Sequence, residues 1–78
     1  MNNISIYPNP VSDMLHINNL TNVKNITISN VIGQKVKTVN NINSEILNIN
    51  TSDLERGVYI ISITDNNGNV RSSKLLKK

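Results

Sequence analysis

The sequence predicts an all-β protein, an antiparallel sandwich of about seven short strands. Two observations favour this fold class. The 78 residues include 12 Ile and 7 Val but no Ala; β-branched residues suit a pleated sheet, whereas Ala is the best helix former. Apolar and polar residues also alternate along seven segments, which is the pattern of strands with one buried face. Short strands separated by turn signals are typical of an antiparallel sandwich.

The predicted strands cover residues 3–7, 13–18, 24–31, 34–39, 45–50, 57–64 and 70–77. The first ends at Pro8 and Pro10, because proline has no N–H to donate to a sheet ladder. The fourth carries Lys35 and Lys37 on one face and Val36 on the other. The apolar pairs expected on one face of the first, second, third and fifth strands are Ile4 with Ile6, Leu15 with Ile17, Ile26 with Ile28, and Leu47 with Ile49.

Two glycines mark turns between strands. Gly33, within residues 31–34, is free to take a positive φ after the third strand. Asn67 and Gly68 lie within residues 65–69, between the sixth and seventh strands. An Asn-Gly pair favours a hairpin turn with positive φ at both central positions.

One feature of the chain indicates a helical turn. Ser52 and Glu55 have the spacing of a capping box, in which each side chain bonds the backbone N–H of the other residue. Gly57 stands where a left-handed residue would end the helix. The pattern predicts one helical turn over residues 52–56, with Leu54 under the sandwich. The sixth strand then begins with apolar residues on both faces, as a central strand does.

Composition excludes several kinds of site. The chain has no cysteine and one histidine, so disulfides, thiolate metal sites and clusters of imidazole ligands are excluded. We expect no cofactor. No apolar run approaches the roughly 20 residues of a membrane span. The net charge is +3, and half of the basic residues lie at the C-terminal end: Arg71, Lys74, Lys77 and Lys78. With Tyr7 and Tyr59 as the only aromatic residues, nucleic-acid binding is not expected.

The length fits one domain over residues 1–78. Its N-terminal residues lack the basic and then apolar pattern of a secretory signal. The chain is therefore either an intracellular protein or a piece of a larger one, and Met1 is then either native or a start codon added to a fragment.

Catalytic and metal sites are poorly supported by the sequence. His16 is the only classical general base, and the carboxylates are scattered over separate turns, so we expect no enzyme activity. Asp65, Asn67 and Asn69 have some features of a calcium loop. However, the glycine comes at the fourth position rather than the sixth and the bidentate Glu is missing, so a plain hairpin turn is favoured. Four Asn-x-Ser/Thr sequons, at Asn3, Asn19, Asn25 and Asn50, are expected by chance in a chain with 16 Asn.

Four short segments resemble those of one family in the same order. They are Tyr7-Pro8-Asn9-Pro10-Val11 followed by Asp13, Leu15 and Ile17; Gly33-Gln34-Lys35-Val36; Leu54-Glu55-Arg56-Gly57-Val58-Tyr59-Ile60; and Lys74-Leu75-Leu76-Lys77-Lys78. Together they resemble the type A C-terminal sorting domain of the type IX (Por) secretion system. The resemblance runs from about residue 4 to residue 78 and implies an immunoglobulin-like sandwich.

The resemblance implies a non-enzymatic secretion address. Domains of this family lie at the C-terminal end of cargo proteins in Gram-negative bacteria and direct them from the periplasm through an outer-membrane translocon. Shuttle and sortase proteins then release the cargo or attach it to lipopolysaccharide at the cell surface. The N-terminal signal would lie on the cargo. The cargo's identity and its cleavage site are outside the sequence.

Some family residues have two interpretations. Lys74, Lys77 and Lys78 are either a solvated edge or contacts for an acidic receptor or for anionic lipopolysaccharide. Pro8 and Pro10 are more simply an edge-strand device than a recognition feature, and Tyr59 is expected in the core with its hydroxyl bonded at the rim.

The other family residues, expected to be mainly structural, are Tyr7, Asn9, Gly33, Leu54, Gly57 and Val58. A carbohydrate-binding or adhesive β-sandwich is the alternative function, although the chain lacks the Trp or Phe of a sugar platform. A small hydrolase is nearly excluded by the residue inventory.

Overall fold

The computed structural model of the chain describes residues 4–78 and contains seven strands. They are β1 (Ser5–Tyr7), β2 (Met14–Asn18), β3 (Val23–Asn30), β4 (Lys35–Val39), β5 (Leu47–Asn50), β6 (Gly57–Asp65) and β7 (Val70–Lys77). All seven predicted strands are confirmed, with their ends within two residues of the prediction. The sequon at Asn3, the start of the first strand at Asn3, and Met1 lie outside the described residues.

The strands form two antiparallel sheets, as an immunoglobulin-like sandwich requires. One sheet has the order β1-β2-β5 and the other the order β4-β3-β6-β7. In an immunoglobulin constant domain the fourth strand belongs to the sheet of the first, second and fifth strands. Here β4 pairs with β3 instead, so the division is three strands against four.

The core lies between the sheets and is built from the alternating residues. The fully or almost fully buried apolar side chains are Val11, Leu15, Ile17, Leu20, Val23, Ile26, Ile28, Ile49, Tyr59, Ile61, Ile63 and Leu75. The expected inward pairs of β2 and β3 are therefore confirmed. Leu54 packs half-buried against this core, as predicted. Aliphatic side chains of this size each contribute about 1.5–3 kcal/mol when fully buried.

Tyr59 fixes the entry to β6. Its ring is buried, and its hydroxyl donates a 2.6 Å hydrogen bond to the Glu55 carbonyl four residues upstream. This is the arrangement of the tyrosine corner of immunoglobulin-like domains, in which a Tyr near the start of the sixth strand bonds back to the preceding loop. The predicted role of Tyr59 is confirmed.

The predicted helical turn over residues 52–56 is wrong, since none of the described residues forms a helix. The capping-box side chains are not used: the Ser52 N–H donates to the Asn50 side chain at 2.9 Å, and the Leu54 N–H donates to the Thr51 carbonyl at 3.0 Å. Gly57 opens β6 at a φ of 154° rather than ending a helix. Five residues are too few for a helix to repay its nucleation when cross-sheet bonds are available.

Two hairpin turns share one hydrogen-bond pattern. In the first, the Asn30 carbonyl accepts from the Gly33 N–H, and the Asn30 side chain accepts from the amides of Ile32 and Gln34. In the second, the Asp65 carbonyl accepts from Gly68, and its carboxylate accepts from the amides of Asn67 and Asn69. Gly33 and Gly68 have φ near 89° and 88°. This is a type I turn followed by a left-handed residue.

The second turn differs from its prediction in one respect. Gly68 has a positive φ, but Asn67 does not, so the expectation of positive φ at both central positions is wrong. The Asp65 carboxylate selects the other geometry, because bonding two amides further along the chain favours a type I turn over its mirror image.

A β-bulge shapes the edge strand β4. Ile28 pairs with Lys37 and Ser29 pairs with Lys35, so Val36 is an extra residue without a partner on β3. Lys37 then lies on the inward side with Val39, and Val36 is 37% exposed. The prediction that Lys35 and Lys37 lie on the same face is therefore wrong. No helix among residues 4–78 is long and apolar enough to cross a membrane.

Candidate recognition site

The sandwich brings all four motif segments to one end. The last residue of β3 lies beside the start of β6, since Asn30 pairs with Tyr59. The end of β7 lies at the same place, since Gly57 pairs with Lys77. A bridge between Val11 and Lys77 joins the other sheet at the same end. We call this the motif end; it consists of residues 7–13, 31–36, 51–60 and 74–78. The opposite end, the far end, consists of residues 19–23, 40–46 and 65–70, and β1 starts on that side because Ser5 pairs with Asn18.

Asn9 joins the first motif to the last. Its side-chain oxygen accepts from the Leu76 N–H at 2.9 Å, and its side-chain nitrogen donates to the Lys74 carbonyl at 3.1 Å. An amide side chain has both a donor and an acceptor, so Asn9 satisfies β7 as a neighbouring strand would. The segment that contains Pro8 and Pro10 therefore covers part of the free edge of β7.

Val11 continues this pairing and buries Lys77. The Val11 N–H donates to the Leu76 carbonyl and the Val11 carbonyl accepts from the Lys78 N–H, both at 2.8 Å. Lys77 is only 9% exposed, and its ammonium donates to the Lys78 carbonyl at 3.1 Å. The prediction that Lys77 belongs to an exposed basic edge is wrong. Strand alternation is the reason, since Lys77 faces the same way as the buried Leu75.

Lys74 and Lys78 remain exposed, as the recognition hypothesis requires. Within residues 4–78 neither forms an ion pair; the ion pair present is Lys37 with Asp53, at 2.8 Å. The Lys37 hydrogen bond, opposed by partial desolvation, lowers the pKa of Asp53 below its usual value, with a smaller contribution from Lys77.

Thr51 ties the two loops of the three-stranded sheet together at the motif end. Its backbone N–H and its hydroxyl both donate to the Asp13 carbonyl, at 2.6 and 2.8 Å. The side chain is fully buried. No pattern in the sequence indicates this role, because it depends on two loops that lie 38 residues apart.

The outer face of the three-stranded sheet holds His16 and Tyr7. Their ring centroids are 5.4 Å apart. His16 Nδ1 lies 2.7 Å from the Asn48 side-chain oxygen, and Asn18 donates to the Tyr7 hydroxyl at 2.8 Å. Among residues 4–78 the side chains that bond to His16 and to the Tyr7 hydroxyl here are amides, and Tyr7 is 45% exposed.

The Asp65 carboxylate is hydrogen-bonded within its own turn. The backbone amide of Asn69, opposed by partial desolvation, and then that of Asn67 lower the pKa of the Asp65 carboxyl. Among residues 4–78 no group of three His, Asp or Glu side chains is placed to hold a metal ion. The carboxylate oxygens of Asp65 are used by the turn itself.

The converging segments are those of a known family. A family model described as the secretion system C-terminal sorting domain matches residues 5–78. The chain belongs to this family. A search of curated proteins gave no match to the chain. The sorting domain is thus a β-sandwich whose family match spans essentially the whole sequence, and domains of this family are sorting signals for type IX secretion.

Most of the motif residues of the sorting domain have a structural task. Asn9 holds β7, Gly33 takes the left-handed position of a turn, Leu54 packs under the core and Tyr59 forms the corner. Val58 is different, because it points outward and is 40% exposed. The sequence analysis missed Leu76 as the outward-facing cross-strand neighbour of Val58, although period-two alternation places Leu76 opposite to Leu75.

Proposed function

We propose that this chain is a non-enzymatic sorting signal that directs a cargo protein, joined to its N-terminal side, through the type IX translocon to the cell surface. The observation that carries the proposal is the convergence of the four motif segments at one end. Residue 4 lies toward the opposite end. A cargo joined there would leave the motif end accessible.

The proposal includes the later steps of export. The cargo passes through the periplasm, shuttle and sortase proteins handle the signal, and the cargo is released or anchored on lipopolysaccharide. Lys74 and Lys78 are contacts for the machinery, whereas Lys77 acts through the fold because it is buried. Two exposed ammonium groups without an ion-pair partner are available to carboxylates or phosphates at little desolvation cost.

The test is a fusion of the chain to the C-terminus of a periplasmic fluorescent protein in a bacterium with a type IX system. We expect protease-accessible fluorescence at the cell surface, and none in a host without the translocon. Surface fluorescence that is independent of the translocon, or fluorescence retained in the periplasm of the competent host, contradicts the proposal.

A further inference from the structure

The outer face of the four-stranded sheet is divided into two unlike halves. Toward the far end its outward positions are mostly hydroxyl and amide side chains from all four strands: Asn25, Thr27, Thr38, Ser62, Thr64 and Ser72. Val70, which pairs with Thr64 and is 60% exposed, is the apolar exception there. Ser62 and Ser72 lie 3.1 Å apart and satisfy each other. Toward the motif end, three of the four paired outward positions of β6 and β7 are apolar, Val58, Ile60 and Leu76, and the fourth is Lys74.

The apolar half extends from β7 toward β4, with Ser29 and Lys35 between its members on β6 and β4. Val58 pairs with Leu76, and Ile60 pairs both with Lys74 and with Ser29. Ser29 in turn pairs with Lys35, beside the bulge at Val36. We call Val36, Val58, Ile60 and Leu76 the outer patch. Val36 and Val58 are 37% and 40% exposed.

Folding gives no reason for this composition. The sandwich buries only the inward face of each strand, and the far half shows that Thr and Ser occupy the same kind of outward position. Yet three of the four motif segments each contribute outward apolar residues, Val36 from the second, Val58 and Ile60 from the third, and Leu76 from the fourth. A contiguous exposed apolar patch on a soluble domain marks an interaction surface.

The adjacent turn extends the contrast. Val31 and Ile32 are 71% and 76% exposed at its tip. The second hairpin, with the same hydrogen bonds, has Asn66 and Asn67 at the corresponding positions. The turn geometry therefore does not require apolar residues there.

The charged side chains at the outward strand positions beside the patch are of one sign. Lys35 pairs with Ser29 and Lys74 pairs with Ile60, so both lysines border the outer patch. No Asp or Glu occupies an outward position of β3, β4, β6 or β7 in the described residues. A complementary partner would present an apolar surface bordered by carboxylates.

We infer that the outer patch docks the sorting domain onto a protein of the export machinery that has an apolar surface with an acidic border. The inference rests on the proposed function. A protein partner fits better than a membrane, because the patch consists of Val, Ile and Leu and lacks the Trp or Phe that anchor membrane-surface elements. Val58 and Leu76, which are cross-strand neighbours on β6 and β7, form its main contact.

The first test compares two double variants of the fluorescent fusion. Val36→Thr with Val58→Thr keeps β-branched shapes but removes outward methyl groups, and surface delivery should fall about tenfold. Thr38→Val with Thr64→Val makes the reverse change on the far half and should leave delivery unchanged. Unchanged delivery of the patch variant, or an equal loss in both variants, overturns the inference. Failure of the unsubstituted fusion instead overturns the proposed function.

Charge reversal tests the acidic border without touching the apolar residues. Lys74→Glu should lower delivery about tenfold, whereas Lys24→Glu, the same change at an exposed strand position near the far end, should not. This pair also keeps the inference falsifiable if the apolar variant does not fold. Equal delivery of the two charge variants contradicts an acidic partner.

Photocross-linking identifies the occupant. A benzophenone side chain replaces Val58 in one fusion and Thr64 in the other. We expect a protein adduct from position 58 of larger mass than the fusion, and none from position 64. An adduct of twice the fusion mass would show self-association, a lipopolysaccharide ladder would show an envelope lipid, and no adduct would show an unoccupied surface; each of these overturns the inference.

Discussion

The two ends of the sandwich are closed by different means. At the motif end, side chains with single geometric roles connect distant segments, as Asn9 does with β7 and Thr51 with Asp13. At the far end, loops meet through backbone bonds such as that from the Leu20 N–H to the Glu45 carbonyl. Three asparagines near that end, Asn19, Asn22 and Asn41, take positive φ values between 56° and 63°.

The two ends differ in how many residue types can fill their structural positions. Asn and Gly both tolerate the left-handed region, so the far-end loops accept either residue. A clamp such as Asn9 requires a donor and an acceptor at fixed positions, which few side chains provide. This explains why the family segments lie at the motif end, whereas the Asn-rich loops carry no motif. Matched substitutions at the two ends should therefore have unequal effects.

The largest difference is expected between two glycines. Gly57, at the motif end, has a φ of 154°, in a region almost closed to other residues, whereas Gly68 has a φ of 88°. Gly57→Asn should lower the free energy of unfolding by about 1–3 kcal/mol. Gly68→Asn should lower it by only a few tenths of a kcal/mol, because Asn tolerates the left-handed region. Gly57→Val, as a β-branched residue, should behave like Gly57→Asn or worse. Equal melting temperatures for Gly57→Asn and Gly68→Asn, measured by circular dichroism, would remove the distinction.

The next difference concerns two asparagines that bridge loops. Asn9→Ala removes two hydrogen bonds to β7 and should destabilise by about 1–2 kcal/mol. Asn66→Ala removes the 2.9 Å bond to Asn22 but leaves the backbone bond from Asn66 to Asn22 in place. It should cost less than about 0.5 kcal/mol. Urea titration of both variants measures this, and an Asn66→Ala loss equal to that of Asn9→Ala would contradict the comparison.

The C-terminal lysines give a smaller effect. Lys77→Gln shortens a buried stem and should destabilise by about 1 kcal/mol. Lys74→Gln with Lys78→Gln changes two exposed side chains and should leave the melting temperature unchanged. The same two substitutions should reduce surface delivery of the fusion. Normal delivery by this folded double variant would show that the two lysines are a solvated edge.

Acid should affect the two ends through different carboxylates. Both Asp53 and Asp65 have folded-state pKa values below their usual range, so each contributes stability that is present above its unfolded pKa and is lost as the pH falls. The melting temperature should therefore decline below about pH 4. The Asp53 part, due to Lys37, should shrink in high salt because both groups are partly exposed.

A substitution separates these two contributions. Asp65→Asn should preserve the turn, because Asn30 makes the same bonds in the first hairpin, and should remove part of the acid dependence. Melting curves between about pH 5 and pH 2 test this. If the melting temperature of Asp65→Asn fell with pH as it does in the unsubstituted chain, the ionised Asp65 carboxylate would not be a source of the acid dependence.

The strands could be predicted from the sequence because alternation reports directly which face is buried. The turn at Gly33 and the burial of Tyr59 with its hydroxyl hydrogen-bonded also followed from the sequence, although the tyrosine-corner geometry did not. The predicted helical turn failed because a local capping pattern competes with cross-sheet bonds that the sequence does not display. Asn9 and Thr51 act on residues far along the chain, so their roles appeared only in the fold.

Lys77 illustrates a signal that was present and misinterpreted. Its basic charge suggested exposure, but its spacing from Leu75 placed it on the inward face, and the structure follows the spacing. The outer patch is the counterpart: the alternation that buries Leu75 and Tyr59 places Leu76 and Val58 on the outside, but the sequence analysis did not draw that conclusion. Their adjacency required the pairing of β6 with β7.

Hydrogen exchange at individual backbone amides tests most directly whether the first and last motifs form one unit. The amides of Leu76 and Lys78 bond to Asn9 and Val11 across the sandwich. We expect both to be protected in the unsubstituted chain, and we expect Asn9→Ala to increase their exchange while the Gly68 amide at the far end keeps its rate. Exchange of Leu76 and Lys78 as fast as that of an unfolded peptide would contradict the account.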